Sequence, residues 1–468
     1  MLARIRSLPR GGQRPGREGE FDRRLIAPMV LGSVLNPVNS SMIAVALVPI
    51  GTAFGAPLAE TAWLVSALYL ATAVGQPVIG RLVDTHGPRC LYLAGTALVG
   101  VAGLLGVLAP SLGLLIAARV LLGLGTSAAY PAAMHLTRSE AARTGRDSPA
   151  GVLTALAVAN QTVAVIGPTL GGLLIGAGGW RAVFAVNVPL SLACLVLGAA
   201  RLPRRPARTR RTSARLDGTG IALFAAMLVA LMLFLMKPQA AHWYLPAAAV
   251  AAACAFAARE LRVRDPFIDL RTLAGNRPLI VTYLRQLLGY TASYAFLYGY
   301  TQWLEEGRRL TPSAAGLVLL PLSGAALAVS AATGRSTAVR GKLVVGSCLQ
   351  LAACSAMLLV GTGSGIWLLV AVGILAGIPQ GLIGLANQAA LYHQADPARI
   401  GSAAGLLRTF TYLGAMAASA ANAAFFPHGA TTAGLHHLAL FMLGGAALLL
   451  ALVLPDRSLR RLAPAAHN

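Results

Sequence analysis

The stretch GRLVDTHGPR, residues 80–89, lies between two long apolar runs, WLVSALYLATAVGQPVI (63–79) and LYLAGTALVGVAGLLGVLA (91–109). A helix needs roughly 20 apolar residues to cross about 30 Å of hydrocarbon. Each flanking run is close to that length, and neither alternates apolar and polar residues as a membrane β-strand would. The stretch is therefore predicted to be a polar turn between two membrane-spanning helices.

The composition of the whole chain agrees with this interpretation. Of its 468 residues 56% are hydrophobic and only 11% are charged, and the mean hydropathy is +0.69. Soluble domains carry about 25% charged residues. The chain therefore has too few charges to cover a soluble surface, and the fold class expected is an all-α polytopic membrane protein.

Apolar runs of spanning length recur along the whole chain. Because irregular backbone cannot face lipid, each run should be a helix. Fourteen such runs are predicted, near residues 25–47, 61–80, 91–110, 113–136, 150–177, 182–200, 217–236, 243–259, 278–302, 312–333, 342–361, 365–391, 400–425 and 435–455.

The basic residues are distributed unevenly between the two sides of this map. Of 38 Lys and Arg residues, 31 fall on the side that holds both chain ends, four fall on the other side, and three lie within spans. The positive-inside rule then places both termini in the cytoplasm. The protein is expected to lie in the cell membrane and to cross it many times. The basic runs at 1–24 and 201–215 are interpreted as topology determinants, and contact with anionic membrane lipid is the alternative.

Two cytoplasmic turns share a pattern, which suggests an internal repeat. GRLVDTHG (80–87) follows the second predicted span and GRSTAVRG (334–341) follows the tenth. Parallel halves around a central cavity are typical of transporters that alternate access. The predicted organisation is a basic tail (1–24), a six-helix bundle (25–200), a linker (201–216), two additional helices (217–259), a loop (260–277), a second six-helix bundle (278–455) and a tail (456–468).

Other classes of protein find little support. The five cysteines are scattered without metal-ligand spacing, and no ATP-binding GxxxxGK[ST] loop or nucleic-acid module occurs. A membrane enzyme would need clustered acids, histidines or serines, whereas the histidines here are dispersed. We expect no enzyme activity, no cofactor, no metal and no nucleic-acid partner.

Taken in order, several motifs resemble the fourteen-span drug:proton antiporter branch of the major facilitator superfamily, over about residues 30–455. GRLVDTHGPR is similar to its signature loop after span two, with Gly80, Asp84, Gly87 and Arg89 on matching positions. The other matching stretches are RVLLGLGTSAAYPAAM (119–134) in span four, VIGPTLGGLLIGAGGWRAVFAVNVP (165–189) from span five onward, and LTPSAAGLVLLP (310–321) at the start of span ten.

The resemblance implies roles for two of these motifs. The aspartate of the loop, Asp84, would contact a neighbouring helix end and arginines, and so latch the cytoplasmic side while the cavity faces outward. A carboxylate favours a helix N-terminus and guanidinium groups, which makes this physically reasonable. In span five, the glycine and proline residues would form a gating helix that favours export; these are Gly167, Pro168, Gly171 and Gly172. Ordinary helix packing is the alternative for span five.

Polar groups within spans are the candidates for substrate binding and proton coupling, because buried charge is costly in lipid. Span nine places a series of polar and aromatic residues on one helix face. This face is predicted to line a cavity, with interhelical packing as the alternative. The full candidate set is Asn39, Arg119, His135, Arg285, Gln286, Tyr290, Tyr294 and Arg408, with Tyr283 and Tyr298 at the ends of the aromatic face.

The departures from the family pattern concern proton coupling. Asn39 stands where the span-one motif carries an aspartate, and none of the fifteen acidic residues falls mid-membrane in the predicted map. Coupling would then use His135, Asp84, Glu305 or Glu306.

Function follows from these observations. Three arginines within spans favour a neutral or anionic amphiphilic substrate, such as a natural product or an acidic antibiotic. The expected function is proton-linked export of such molecules. The alternatives are a uniporter or importer of a neutral or anionic small molecule, or a non-transporting sensor on a transporter fold.

Overall fold

The structure, a computed structural model, describes residues 21–56, 58–61, 63–145, 150–204, 217–236, 240–263, 266–310, 312–427 and 429–460. These residues are almost entirely helical, and the β-structure among them is one isolated bridge between Pro427 and Gly429. Most of the predicted tails and linker, namely residues 1–20, 205–216 and 461–468, lie outside the described residues.

The helices fall into three groups along the chain. The first group is α1 (Ile26–Phe54), α2 (Leu58–Thr61), α3 (Trp63–His86), α4 (Pro88–Leu108), α5 (Leu112–Thr126), α6 (Ala129–Thr144), α7 (Ala150–Gly178), α8 (Arg181–Ala185) and α9 (Asn187–Arg201). The second is α10 (Gly218–Met236), α11 (Tyr244–Glu260) and α12 (Leu270–Gly275). The third is α13 (Arg277–Gln302), α14 (Pro312–Thr333), α15 (Val339–Met357), α16 (Ile366–Gln394), α17 (Ile400–Phe425) and α18 (Thr432–Val453).

Short segments of other helix types complete the chain. A π-helical turn, Trp303–Gly307, follows α13. Turns of 3-10 helix are found at Arg23–Leu25, Ala240–His242, Pro397–Arg399 and Arg457–Arg460.

Two of the predicted spans are broken rather than continuous. The fourth divides into α5 and α6 and the sixth into α8 and α9. In each case a proline, Pro131 or Pro189, follows the break closely and cannot donate the hydrogen bond that a continuous helix would require there. In the first break the Ser127 hydroxyl also donates to the Gly123 carbonyl at 2.7 Å, a bond that competes with the helix ladder.

Within the described ranges, nine helical segments are long and apolar enough to cross a membrane. They are Arg23–Ile43, Trp63–His86, Pro88–Leu108, Leu112–Thr144, Arg181–Arg201, Gly218–Leu235, Ala314–Thr333, Ile366–Gln394 and Thr432–Val453. The chain is a polytopic membrane protein.

Buried apolar side chains form one large cluster in each half of the chain. The first lies among residues 25–202 and the second among residues 292–442. A third cluster joins the halves, because it contains Met134 of α6 and Leu153 of α7 together with Leu391 of α16 and Leu407 of α17.

Helices α10 and α11 lie beside the seam between the halves. α10 packs on both α3 and α17, and α11 packs on α10. Phe224 of α10 contacts Phe256 of α11 and Phe267 of the following loop, each with ring centroids 5.6 Å apart. An ion pair of 2.7 Å between Asp217, just before α10, and Arg259 of α11 also joins these two helices.

The loop after α11 ties this pair to the second half. Asp269 caps α12 and forms a 2.6 Å ion pair with Arg399, just before α17. Burial alone would raise the pKa of the Asp269 carboxyl, but hydrogen bonds from Thr272 and the contact with Arg399 lower it to about 2. The carboxylate is therefore ionised at neutral pH, and its stabilising contribution is lost only as the pH falls below about 4 toward 2.

The seam between α3 and α17 allows very close approach of the two backbones. A Cβ atom added at Gly80 would lie 2.3 Å from the Gly401 carbonyl oxygen, and one at Gly405 would lie 2.3 Å from the Gln76 carbonyl oxygen. Glycine is required at these positions because any side chain would force the helices apart.

This seam gives the first testable prediction. Replacing Gly80 by Ala should lower the thermal unfolding midpoint in detergent, since overpacking a tight contact costs about 1–3 kcal/mol. The matched control is Gly324→Ala, also within a helix but with no heavy atom within 4 Å of the added Cβ. Equal midpoints for the two variants would contradict the tight seam.

Candidate functional site: a polar cavity between the two halves

The carboxylate of Asp84 joins α3 to the first turn of α17. Its Oδ1 accepts the Gly401 N–H at 2.9 Å, and its Oδ2 accepts the Ser402 N–H at 2.8 Å and the Ser402 hydroxyl at 2.7 Å. The first N–H groups of a helix lack intrahelical partners and carry partial positive charge. A buried carboxylate is well accommodated there, and it connects the two halves.

The other members of the GRLVDTHGPR stretch hold the turn and its neighbours. Gly87 directly precedes α4 and has a φ angle of +88°, a backbone conformation that residues with a side chain rarely adopt. Arg89 donates to the carbonyls of Leu202 and Ala199 at 2.8 and 2.9 Å, and so caps the end of α9. His135 Nδ1 lies 3.4 Å from Asp84 Oδ1. We call the end of the bundle that holds these residues the terminal end, because Asp22 and Asp456 also lie there.

A cavity of about 160 Å³ lies between the two halves. Helices α1, α3, α6 and α7 line it from the first half, and α13, α14, α16 and α17 line it from the second. We call it the central cavity. Its polar and aromatic lining residues are Asn36, Ser40, Tyr69, Tyr130, Asn160, Gln161, Gln286, Tyr290, Tyr294, Ser330, Gln380, Gln388, Arg408, Thr411 and Tyr412.

Arg408 is the charged residue among the described residues that line the central cavity. Its guanidinium lies 4.3 Å from the ring centroid of Tyr130, so a cation–π contact stabilises it. Such a group presents positive charge and fixed donors in a space walled by aromatic rings.

Helix α13 contributes one face to this cavity. Gln286, Tyr290 and Tyr294 line it, and the rings of Tyr290 and Tyr294 are 6.0 Å apart. Gln286 is held by its neighbours, since it donates to Thr411 Oγ1 at 2.9 Å and accepts from Asn387 at 3.0 Å. Tyr283, further along the same face, instead stacks on Phe410 and donates to the Ala403 carbonyl.

Several lining residues were not identified from the sequence. Tyr412 donates to Asn36 Oδ1 at 3.0 Å across the two halves, and its ring is 5.5 Å from that of Tyr69. Asn160 Oδ1 is buried without a hydrogen-bond partner among the described residues. A signal was present, because polar residues in the middle of apolar runs are rare and usually face the interior.

Asn39 and Arg119 are buried within the first half and do not line the central cavity. Asn39 and Asn187 exchange two side-chain hydrogen bonds, of 2.6 and 2.9 Å. Arg119 donates to the carbonyls of Leu64 and Asn39 at 2.9 and 3.1 Å, and no described residue accepts from its Nη2. This network joins α1, α3, α5 and α9.

Arg285 also lies away from the central cavity. It is fully buried and forms a 2.8 Å ion pair with Asp456, after α18. It donates in addition to Thr282 at 2.6 Å. Its position fits an anchor for the C-terminal segment, so of the three arginines within predicted spans only Arg408 is placed to meet a substrate there.

The glycines of span five divide between two faces of α7. Cβ atoms added at Gly167 and Gly171 would collide with Ser41 and Val45 of α1, at 1.8 and 2.9 Å. Gly172 has nothing within 4 Å. The first two therefore permit close packing of α7 on α1, while Gly172 does not contribute to that contact. Pro168 lies between them within α7.

A family comparison identifies this arrangement. Residues 29–419 match the Major Facilitator Superfamily. The chain belongs to this superfamily. Its members are transporters, and the protein is accordingly a transporter and not an enzyme.

Curated relatives of this superfamily transporter include drug-resistance proteins. It is 32% identical over 437 residues to the uncharacterized MFS-type transporter YwoD of Bacillus subtilis, covering 90% of this chain and 94% of the relative. It is 28% identical to the methylenomycin A resistance protein of Streptomyces coelicolor, covering 97% of both. It is 30% identical to the tetracenomycin C resistance and export protein of Streptomyces glaucescens, covering 69% of this chain and 61% of that protein.

Solved structures agree on the fold. The human organic anion transporter MFSD10 superposes with a TM-score of 0.67 at 17% identity, covering 92% of this chain and 99% of the other. The proton:xylose symporter XylE superposes with a TM-score of 0.64 at 13% identity, covering 92% and 95%.

The Asn39–Asn187 pair gives the second prediction. Asn187→Leu should destabilise the transporter by about 1–3 kcal/mol, because it leaves the buried Asn39 Oδ1 without a donor, while Asn39 Nδ2 keeps only its bond to the Leu35 carbonyl. The double variant Asn39→Leu with Asn187→Leu should lose less than the sum of the two single variants, measured as a double-mutant cycle of unfolding in detergent. Strictly additive losses would show that the two amides do not act as a pair.

Proposed function

We propose that this transporter exports anionic or neutral amphiphilic small molecules by alternating access, linked to protons. The central cavity carries the proposal, because both halves line it and Arg408 is its charged lining residue. Aromatic rings offer flat apolar surfaces, and the guanidinium suits a carboxylate or phenolate. Asn160 and Gln161 add amide groups to the lining that suit a polar group of the ligand.

The names of relatives support export of natural products. The chain resembles, over almost its whole length, a protein named for methylenomycin A resistance, and over two thirds of its length a tetracenomycin C resistance and export protein. We extend to this chain the general activity that the second name prints, export, and neither of the two named compounds.

We propose fourteen crossings of the cell membrane with both chain ends in the cytoplasm. The helices support this number, since each of the fourteen apolar runs corresponds to one helix or to one broken pair. The concentration of Lys and Arg at the terminal end supports the orientation. The two halves are then bundles of six spans, with α10 and α11 as the additional pair.

We propose that Asp84 is the latch of the cytoplasmic side. Its hydrogen bonds to α17 and the apolar cluster between the halves both lie at the terminal end. Opening the cavity to the cytoplasm would require Asp84 to leave the helix N-terminus. The close packing of α7 on α1 at Gly167 and Gly171 supports a role for α7 as the gating helix.

We propose that the proton-linked step takes place at the terminal end, at Asp84 and His135. No acidic residue is among the described residues that line the central cavity, and Asn39 cannot carry a proton. His135 Nδ1 lies 3.4 Å from Asp84 Oδ1, and an imidazole is a side chain that can carry a proton to such a carboxylate. Protonated His135 would add an attraction to the carboxylate that closes the latch.

Because no acidic residue is found among the described residues that line the central cavity, one other function is also favoured. A uniporter of anionic amphiphiles needs the cavity and the latch but no titrating group. The two functions differ in their response to a pH gradient.

The third prediction tests substrate charge and coupling together. In proteoliposomes, the transporter should move an aromatic carboxylate faster than a quaternary ammonium dye, and an imposed pH gradient should accelerate it. Arg408→Gln should lower carboxylate transport at least about tenfold, since a charge-assisted hydrogen bond contributes about 1.5–3 kcal/mol. Fluorescence of the trapped probe reports the rate.

Arg181→Gln is the matched control, because this exposed arginine lies near the end of the bundle away from the latch and stacks on Trp180. Carboxylate transport indifferent to the gradient would reject proton linkage and leave the uniporter. Preference for the cationic dye would reject the proposed substrate class.

The fourth prediction concerns the latch. Asp84→Asn should reduce transport about tenfold or more without changing the amount of protein in the membrane. Asparagine would turn its own N–H₂ group toward either the Gly401 N–H or the Ser402 N–H, so that two donors would face each other. The loss of the negative charge would also weaken the contact with the helix N-terminus.

Asp396→Asn serves as the control, since Asp396 is an exposed aspartate that caps the adjacent 3-10 turn. A fully active Asp84→Asn variant would show that the latch is not needed for transport.

A further inference from the structure

A second cavity, of about 310 Å³, adjoins the central cavity. Ser40 and Tyr69 line both of them. We call it the outer cavity, because on α1, α3, α13 and α17 its residues extend farther from the terminal end than those that line the central cavity. Its remaining lining residues are Ile43, Leu47, Val65, Ser66, Met232, Leu235, Tyr298, Ala415, Met416 and Ser419.

The outer cavity differs from the central cavity in chemistry. None of its described lining residues is charged, and most are aliphatic side chains or methionines. Its volume reaches the lower range for pockets that hold drug-sized molecules, about 300 Å³. Met232 and Met416 come from different helices, and methionine adapts its shape to irregular or aromatic partners.

One wall of the outer cavity comes from α10, a helix outside the two six-helix bundles. Phe224, Leu228 and Met232 follow one face of α10 at intervals of four. Phe224 and Leu228 pack with Ala73 of α3 and Tyr412 of α17, and so close the seam nearer the terminal end. Met232 and Leu235 continue this face and border the open space.

We propose that the outer cavity is a subsite for the apolar ring system of the substrate, and that α10 determines how large a ring system is accepted. This inference rests on the proposed function. A bound amphiphile would place its anionic or polar group near Arg408 and pass Tyr69 and Ser40 with its apolar part. Tyr298, the outermost tyrosine of the α13 face, would lie against the ring rather than in the central cavity.

The fifth prediction compares two probes that share a carboxylate but differ in ring size, naphthalene carboxylate and pyrene carboxylate. In proteoliposomes, Met232→Trp should lower pyrene carboxylate transport at least about fivefold, because the larger side chain fills the subsite. Naphthalene carboxylate transport should change less than about twofold. Leu235→Ala should shift the ratio of the two rates toward pyrene carboxylate.

Ala226→Trp is the control, because Ala226 lies on the same helix and is exposed at the surface. Membrane abundance is measured for each variant, and Leu235→Ala gives a second readout if Met232→Trp does not accumulate. Equal loss of both probes in the cavity variants, as expected if a lipid chain occupies the cavity, would overturn the subsite and leave the proposed function intact. A wild-type protein that transports neither probe would instead overturn the proposed function, and this inference with it.

Discussion

The contact between the Asp84 carboxylate and the first turn of α17 is the constraint around which the two halves are arranged. A buried carboxylate needs several donors, and three come from Gly401 and Ser402. They are in reach only because glycines at the α3–α17 seam let the backbones nearly touch. The buried charge of Asp84 and the glycines that bring α17 within its reach therefore depend on each other. Gly80 and Asp84 lie one turn apart at the C-terminal end of α3, which explains why this end of the helix is so unlike its apolar surroundings.

The central cavity forms where this seam opens out. Small residues bring α3 and α17 together near Asp84, and Tyr69 and Tyr412 separate them further along, with ring centroids 5.5 Å apart. Closure at one end and space in the middle thus follow from side-chain size along the same two helices. Arg408 can remain charged in this space because Tyr130 offers the face of its ring and because the neighbouring amides are polar.

The sequence predicts the helical membrane fold and the position of nearly every helix, because apolar runs of spanning length leave few alternatives. It also predicts that Gln286, Tyr290 and Tyr294 share a face. It does not distinguish Arg408 from Arg285 and Arg119, since all three are single arginines within apolar runs. The distinction depends on tertiary partners: Asp456 is 171 residues away from Arg285, and the carbonyls that hold Arg119 belong to other helices. Nor does it reveal Asn36 or Tyr412 as cavity residues, because their partners lie in opposite halves.

The buried network around Asn39 has a mechanical consequence. Arg119 is bonded to backbone carbonyls of α1 and α3, and Asn39 is bonded to Asn187 of α9, and all three side chains are buried from solvent. Sliding any of these four helices past another would strand a cation or an amide in a low-dielectric interior, at a cost of several kcal/mol. Helices α1, α3, α5 and α9 should therefore move together as one unit. Hinge motion should then occur outside this four-helix network, at contacts such as the one between Asp84 and the first turn of α17.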